Sequence, residues 1–487
     1  MKPKLILFLL MPALILTACD FGSDTPTSQA APPNIIYILA DDLGYGDLGS
    51  YGQDKFATPH LDQLAGNGIR FTRHYSGSTV CAPSRSVLMT GQHTGHTPIR
   101  GNQEVNPEGQ WPLPDSALTL AEHLKMAGYV CGAFGKWGLG YPGSEGDPLN
   151  QGFDRFFGYN CQRFAHRYYP AYLWENKEKV YLEGNDWSST RTYAPDVIQK
   201  QALDFIRNNC DTTFFAFLPV VIPHAELLVP DDSIFQFFKG KYPETPYVGR
   251  PGADYGPEMQ ISMYCSQEYP HATFAAMVCR IDTYVGEIVN LLKELGLTEN
   301  TIILFSSDNG PHLEGGADPQ FFNSNGGLRG FKRDLYEGGI RVPLIVSWPG
   351  TIEKGRVSDH PSAFWDLLPT LADLTGRKLV GTDGISFLPE LLGEPQPEHP
   401  YLYWEFHEMG GKQAILQDPW KAVRLQAGKN PYGPLELYNL ESDPLEENNV
   451  AEAHPDLAEI FAGLMEDARE PSAKFNFGRR TNGGSNE

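Results

Sequence analysis

The sequence predicts an α/β fold: a large, mainly parallel or mixed sheet sandwiched by helices, then a small C-terminal antiparallel α+β subdomain. Three observations predict it. First, β-rich apolar runs recur along the chain. Asn34 to Ala40 in "NIIYILADD" is continuously apolar, as a strand buried on both faces must be, and "YVCGAFGKW", "FFAFLPVVIPH", "TIILFSSDNG" and "VPLIVSWPG" resemble it. Second, segments with helical spacing lie between these runs. "SALTLAEHLKMAG" ends in Gly128, a suitable residue just past a helix, and "DVIQKQALDFIRNN" and "FAAMVCRIDTYVGEIVNLLKELG" are similar. Strands alternating with helices give a parallel sheet. Third, the pattern changes after Leu392. "YLYWEFHEM", "KQAILQ", "WKAVRLQ" and "LELYNL" are short strands set apart by turn residues, and "HPDLAEIFAGLMEDARE" closes them as a helix. Residues 225–262, rich in Pro, Gly, Phe and Tyr, read as an insertion over one end of the sheet.

The chain has 487 residues, 41% hydrophobic and 20% charged, enough for a large core. Its net charge is −22 and its pI about 5.0, which argues against a nucleic-acid partner. An acidic surface repels anions at long range, so an anion site must be a local basic pocket. The N-terminus reads as an address. Lys2 and Lys4 precede an apolar run, Leu5 to Leu16, too short to span a bilayer comfortably. Leu16-Thr17-Ala18-Cys19 resembles the lipobox of bacterial lipoproteins, which implies cleavage before Cys19 and its lipidation. The alternative is an ordinary cleaved signal with a chance cysteine. The expected layout is a signal peptide (1–18), a Pro-rich tether (19–33), a main domain (34–392), a C-terminal subdomain (393–475) and a disordered tail (476–487). The protein is thus expected to be an exported, membrane-anchored lipoprotein, periplasmic or on the cell surface. The seven cysteines form no Cys-x-x-Cys pair and make a poor disulfide framework.

The polar residues fall at strand ends. One strand runs into Asp41-Asp42, another into Lys136, a third into His224 and a fourth into Asp308-Asn309. Ligands of open α/β sheets bind outside the carboxyl ends of the strands, so one rim receives all of these. Hard oxygen donors suit Ca²⁺, or less well Mg²⁺, better than Zn²⁺. Singly, each residue has a plainer explanation: strand-end acids cap turns, Lys136 and Lys332 could be solvated, and His224 could be structural.

Cys81 stands in "STVCAPSRSVLMTG", where Pro83 marks the first turn of a helix. A helix N-terminus favours anions and lowers a thiol's pKa, and Arg85 is one turn on. Three readings compete. Cys81 is a structural cysteine, or a thiolate nucleophile, or a residue that is chemically converted. A phosphatase-like loop would want its arginine further from the cysteine, and an exported thiolate is open to oxidation.

"CAPSR" resembles the Cys-x-Pro-Ser-Arg signature of the type I, formylglycine-dependent sulfatases, arylsulfatase-like enzymes of the alkaline phosphatase superfamily. "NIIYILADDLGYGDLGSYG", "GKWGLG", "SSDNG", "GLRGFKRDLYEGGIRVPLIVSWPG" and "LELYNLESDPLEENNVA" resemble further blocks of that family in the same order, over about residues 33–470. The resemblance implies an alkaline-phosphatase-like fold, a Cα-formylglycine made from Cys81 by a maturating enzyme, and a Ca²⁺ held by Asp41, Asp42, Asp308, Asn309 and residue 81. It implies that Arg85 steadies the formylglycine hydrate, and that Lys136, His224 and Lys332 bind sulfate or protonate the leaving group. One departure stands out. The family's lysine block often reads Gly-Lys-Trp-His-Leu-Gly, whereas position 138 here is glycine. The histidine that would contact the formylglycine is absent, and the general base is unassigned. The implied function is release of sulfate from a sulfated carbohydrate, exo-acting, on a galactose- or N-acetylgalactosamine-type sugar. His312, Glu314, Glu405 and His407 are candidates to contact that sugar. The alternatives are a formylglycine-dependent phosphonate or phosphodiester hydrolase, and an inactive surface glycan-binding protein.

Overall fold

The computed structural model describes residues 32–477. The expected signal peptide, Cys19, the tether as far as residue 31 and residues 478–487 lie outside the described residues. The main sheet has eleven strands: β1 (Asn34–Ala40), β2 (Ile69–Tyr75), β3 (Val130–Lys136), β4 (Arg155–Tyr159), β5 (Tyr172–Glu175), β6 (Glu178–Tyr181), β7 (Phe214–Pro219), β8 (Thr301–Ser307), β9 (Arg341–Ser347), β10 (Arg356–Ser358) and β11 (Ser362–Ala363). Their order is β10-β2-β9-β8-β1-β7-β3-β4-β5-β6, with β11 also on β2. β1 lies between β7 and β8, parallel to both. β3 continues the parallel part, while β9 runs antiparallel to β8 and β2, so the sheet is mixed.

The helices that cover the sheet or lie beside it include α1 (Pro59–Gly66), α2 (Cys81–Thr90), α3 (Leu120–Met126), α4 (Ala194–Asn208), α5 (Ser233–Phe238) and α6 (Pro270–Glu294). Side chains of β1 alternate between two layers, as the strand period of two requires. Ile36, Ile38 and Ala40 pack with α4 and α6 residues such as Ile198, Phe205 and Ile281. Ile35, Tyr37 and Leu39 pack on the other face with Val87 and Leu88 of α2 and Leu124 of α3. This two-sided burial explains why β1 reads as an unbroken apolar run. Gly128 has φ +90°, the left-handed conformation expected of a glycine just past α3. The 225–262 insertion is turns and irregular chain apart from α5.

A second, antiparallel sheet runs β12 (Leu402–Phe406), β13 (Lys412–Gln417), β14 (Trp420–Leu425), β15 (Glu436–Asn439). Its two faces also alternate. Trp404, Phe406, Leu416 and Val423 join the core that holds α2. Tyr403, Ile415, Ala422 and Leu437 pack on Phe461 and Met465 of the closing helix, Pro455–Asp467. Trp404 is fully buried and its Nε1 donates to the Ser76 carbonyl at 2.9 Å. Among the described residues every cysteine is a free thiol, and no helix is long and apolar enough to cross a membrane.

Two outcomes are expected. Trp404→Ala removes a large buried side chain at the contact between the sheets, and urea unfolding should show a loss of about 3–5 kcal/mol. The loop after α2 carries a pH-dependent tie, because His96 Nδ1 lies 2.9 Å from Asp383 Oδ1. The hydrogen bond to Asp383 raises the His96 pKa above its usual 6.5, against the opposing effect of burial. A raised folded-state pKa makes the stabilisation full below pH 6.5 and lost as pH rises through the folded value. The melting temperature of Asp383→Asn should therefore fall short of the unmodified protein's by more at pH 6 than at pH 8.5.

Candidate active site

Parallel pairing of β1 with β8 sets Ala40 opposite Ser307, so the next residues of each strand emerge side by side. The Asp308 N–H donates to the Ala40 carbonyl at 3.0 Å, and the Asp42 N–H to Asp308 Oδ1 at 3.1 Å. Asn309 Nδ2 donates to Asp42 Oδ1 at 2.7 Å. Asp42 takes φ +65°, a left-handed conformation that aspartate tolerates. All four side chains are buried.

The remaining strand ends and α2 close on this group. Lys136, the last residue of β3, donates from Nζ to Asp41 Oδ2 at 2.7 Å and to Cys81 Sγ at 3.3 Å. Cys81 opens α2, and its Sγ lies 3.4 Å from Asp41 Oδ1. Arg85, one turn along α2, donates from Nε and Nη2 to Asp308 Oδ2 at 3.2 and 2.8 Å, and from Nη1 to the Lys136 carbonyl. Lys332 Nζ donates to Asp42 Oδ2 at 2.7 Å and to His224 Nε2 at 3.1 Å. His224 Nδ1 donates to the Ala225 carbonyl, which leaves Nε2 as the acceptor facing Lys332. Residues up to 290 positions apart thus meet in one buried cluster.

Electrostatics sort the roles. Burial alone would raise the Asp41 and Asp42 pKa values, but Lys136 beside the first and Lys332 beside the second hold both carboxyls low. Asp308 moves the other way, raised by burial and by the Asp41 charge. His224 is pushed far below the ordinary imidazole range by burial and then by Lys332, so it stands neutral. The Cys81 thiol goes up, through burial first and the Asp41 charge second. This corrects the expectation that the helix N-terminus lowers it: the dipole is weaker than desolvation beside a carboxylate. With no cation in the cluster, the protonated thiol is the favoured form at this position.

The donor set fits a hard divalent cation. Asp41, Asp42, Cys81 and His224 have ligand atoms within 4.8 Å of one another, and Asp308 and Asn309 adjoin them. Asn309 Oδ1 is buried without a hydrogen-bond partner among the described residues, an oxygen that a cation would satisfy. His224 is the weakest member of the set, because Lys332 occupies its free nitrogen.

Of the sugar-contact candidates, His312 and Glu314 lie at this cluster. His312 stacks beside His224 with ring centres 5.5 Å apart, donates from Nε2 to the Pro223 carbonyl at 3.2 Å and accepts the Glu314 N–H at Nδ1. Glu314 accepts a hydrogen bond from Arg333. Glu405 runs against its expectation. It is fully buried in β12, and its oxygens accept from Arg100 Nη1 at 3.0 Å, Arg469 Nε at 2.8 Å and the Tyr403 hydroxyl at 3.0 Å. No oxygen is left for a sugar hydroxyl. His407 pairs with Glu405 at 2.9 Å and stacks on Phe477 at 4.4 Å. Both residues tie the C-terminal segment down.

Three neighbours escaped sequence reasoning. His166 lies flat on His224, ring centres 4.5 Å apart and planes 9° apart, and Tyr264 sits 5.4 Å from His166. "YNCQRFAHRYYP", running on from the last residue of β4 with three tyrosines and His166, carried a signal for His166, whereas Tyr264 lies far along the chain in "SMYCSQ". Gln162 is the third. A Cβ built on Gly138 would lie 2.9 Å from Gln162 Nε2, so the glutamine amide stands where a side chain at 138 would be.

An open α/β sheet whose strand ends gather a carboxylate cluster, two lysines and a buried helix-opening cysteine defines an ester hydrolase of the alkaline-phosphatase-like class. Comparison with known proteins narrows this. Residues 33–377 match the Sulfatase family profile, and residues 328–474 match the profile described as N-sulphoglucosamine sulphohydrolase, C-terminal. The chain belongs to the sulfatase family and is a sulfuric ester hydrolase. It is 30% identical to an N-acetylgalactosamine-6-O-sulfatase of Bacteroides thetaiotaomicron, over 94% of this chain and 98% of that protein. It is 33% identical to the N-acetylgalactosamine-6-sulfatase of Homo sapiens, over 77% of this chain and 68% of that protein. The crystal structure of Ps i-CgsB in complex with k-i-k-neocarrahexaose superposes with a TM-score of 0.73 at 28% identity, covering 90% of this chain and 92% of that one.

Because buried carboxylates repel one another, chelation with EGTA should lower the melting temperature and Ca²⁺ should restore it, read by differential scanning fluorimetry. Asn309→Ala should reduce the Ca²⁺-induced rise.

Proposed function

We propose that this chain hydrolyses sulfate esters of a sulfated carbohydrate, exo-acting on a galactose- or N-acetylgalactosamine-type sugar, with a formylglycine made from Cys81 and a Ca²⁺. The observation that carries the reading is the position of Cys81. It is buried at the start of α2, with Sγ 3.4 Å from Asp41 Oδ1 and 3.3 Å from Lys136 Nζ, inside the cluster of oxygen donors. The sugar class follows the N-acetylgalactosamine-6-sulfatase relatives.

When present, a formylglycine hydrate supplies one hydroxyl as a nucleophile toward sulfur and a second that allows sulfate to leave. Asp41, Asp42, Asp308, Asn309 and residue 81 would hold the cation, and it would supply positive charge to offset the sulfuryl oxygens. The chain's own residues do the rest. Arg85 is committed to Asp308 and to the Lys136 carbonyl, so it fixes the carboxylate and the lysine rather than reaching into open space. Lys136 Nζ stands between Asp41 and residue 81, where it neutralises charge developing at the reacting group. Lys332 and His224 act as one proton-sharing pair. The ammonium is held by Asp42, and the imidazole, its Nδ1 hydrogen tied to Ala225, offers Nε2 alone for exchange. A proton reaches the departing alcohol through this pair. Glu314, part-exposed beside Arg333, is the residue we assign to the sugar, and His312, buried with both ring nitrogens engaged, backs it. The same reading makes the protein an exported lipoprotein anchored through Cys19, matured by a formylglycine-generating enzyme.

The test is sulfate release from a panel of sulfated mono- and oligosaccharides, with phosphodiester and aryl sulfate controls. Sulfated galactose or N-acetylgalactosamine should be turned over, and turnover of phosphodiesters alone would overturn the proposal. Cys81→Ala and Cys81→Ser should each lose at least about a thousandfold in kcat while remaining folded. The peptide containing residue 81 should be lighter than the thiol form by about 18 Da.

A further inference from the structure

The chain on both sides of α2 is stitched to the C-terminal sheet. Before the helix, the Ser76 carbonyl accepts from Trp404 Nε1 at 2.9 Å. After it, Thr94 Oγ1 accepts the Glu405 N–H at 2.6 Å, and Arg100 Nη1 donates to Glu405 Oε1 at 3.0 Å. The last stitch returns to the reacting end of the helix. Asn102 Oδ1 accepts the N–H of Ala82, the residue next to Cys81, at 3.2 Å. The Asn102 N–H donates in turn to Glu408 Oε1 at 3.1 Å, in the turn between β12 and β13.

Helix starts leave N–H groups without intrahelical partners, and the usual remedy is an oxygen on the residue just ahead. Val80 occupies that place in α2 and has no such oxygen, and no side-chain cap is made from there. Pro83 has no N–H, and the Ser84 N–H already donates to the Val80 carbonyl at 3.2 Å. The cap on the N–H beside residue 81 therefore comes from Asn102, twenty positions away. A reacting side chain works only when held to within about 0.5 Å of its productive place.

We propose that Asn102 is a positioning residue for residue 81, and that Glu408 of the C-terminal sheet aims it. Asn102 fixes the backbone that carries the nucleophile, and the β12–β13 turn fixes Asn102. The antiparallel sheet is then part of the catalytic apparatus although it supplies no group to the reaction. The inference rests on the sulfatase reading above for its kinetic consequence and on geometry alone for the cap.

The experiment compares Asn102→Ala, Glu408→Ala, Glu408→Gln and the double variant Asn102→Ala/Glu408→Ala in the full chain. Conversion of residue 81 is checked by mass in each. Asn102→Ala and Glu408→Ala should each lower kcat about tenfold with KM changed less than about twofold. Glu408→Gln, which keeps the accepting oxygen, should restore kcat. The double variant should be no slower than Asn102→Ala, because both residues act along one line. Unchanged kcat in the single variants, additive losses in the double variant, or failure of Glu408→Gln to rescue would overturn the proposal. If the unsubstituted protein, with residue 81 converted, releases no sulfate from the panel, the functional reading fails instead. Hydrogen exchange at the Ala82 amide then decides the cap: faster exchange in both alanine variants supports it, and an unchanged rate overturns it.

Discussion

The parallel pairing of β1 with β8 is the constraint on which the site depends. It brings Asp41 and Asp42 against Asp308 and Asn309 at a depth where water cannot screen them. Carboxylates buried side by side are costly, and the molecule offsets them with Lys136, Lys332 and Arg85, each in direct contact with one of the three acids. Ion pairs of this depth contribute little to stability compared with a well-packed apolar core. Their concentration at one strand-end rim marks chemistry rather than folding.

That balance also sets the character of the cysteine. With Asp41 beside it and no solvent, the Cys81 thiol is held protonated despite its place at a helix start. Arg85 shows a similar shift of emphasis. Its spacing on the helix places it within reach of an anion at position 81, yet its guanidinium is spent on Asp308 and the Lys136 carbonyl, so it organises the groups that would meet the substrate.

The C-terminal sheet has one face in the main core and the other under the closing helix. Its charged residues are fasteners. Glu405 gathers Arg100 and Arg469, and Lys421 lies fully buried between Glu337 and Glu446. Such buried charges cannot move without leaving a partner unpaired, which holds the second sheet in register with the loops flanking α2.

The sequence by itself determined the layers and the rim. Short apolar runs rich in β-branched and aromatic residues and bounded by turn residues read as strands buried on both faces, so β1, β7 and β8 were legible, and a polar residue at the end of such a run emerges at the rim. Asp41, Asp42, Lys136, Asp308 and Asn309 were legible for that reason, whereas β7 ends at Pro219 and His224 reaches the site from the turn that follows it. Periodicity does not record direction or partner choice. The antiparallel insertion of β9 and the use of Glu405 as a buried fastener were therefore decided only by the tertiary structure. The stacking of His166 on His224, Gln162 in the space beside Gly138 and the cap from Asn102 to Ala82 were decided in the same way. Each depends on side chains that meet across loops, where no fixed spacing along the chain encodes the distance in space.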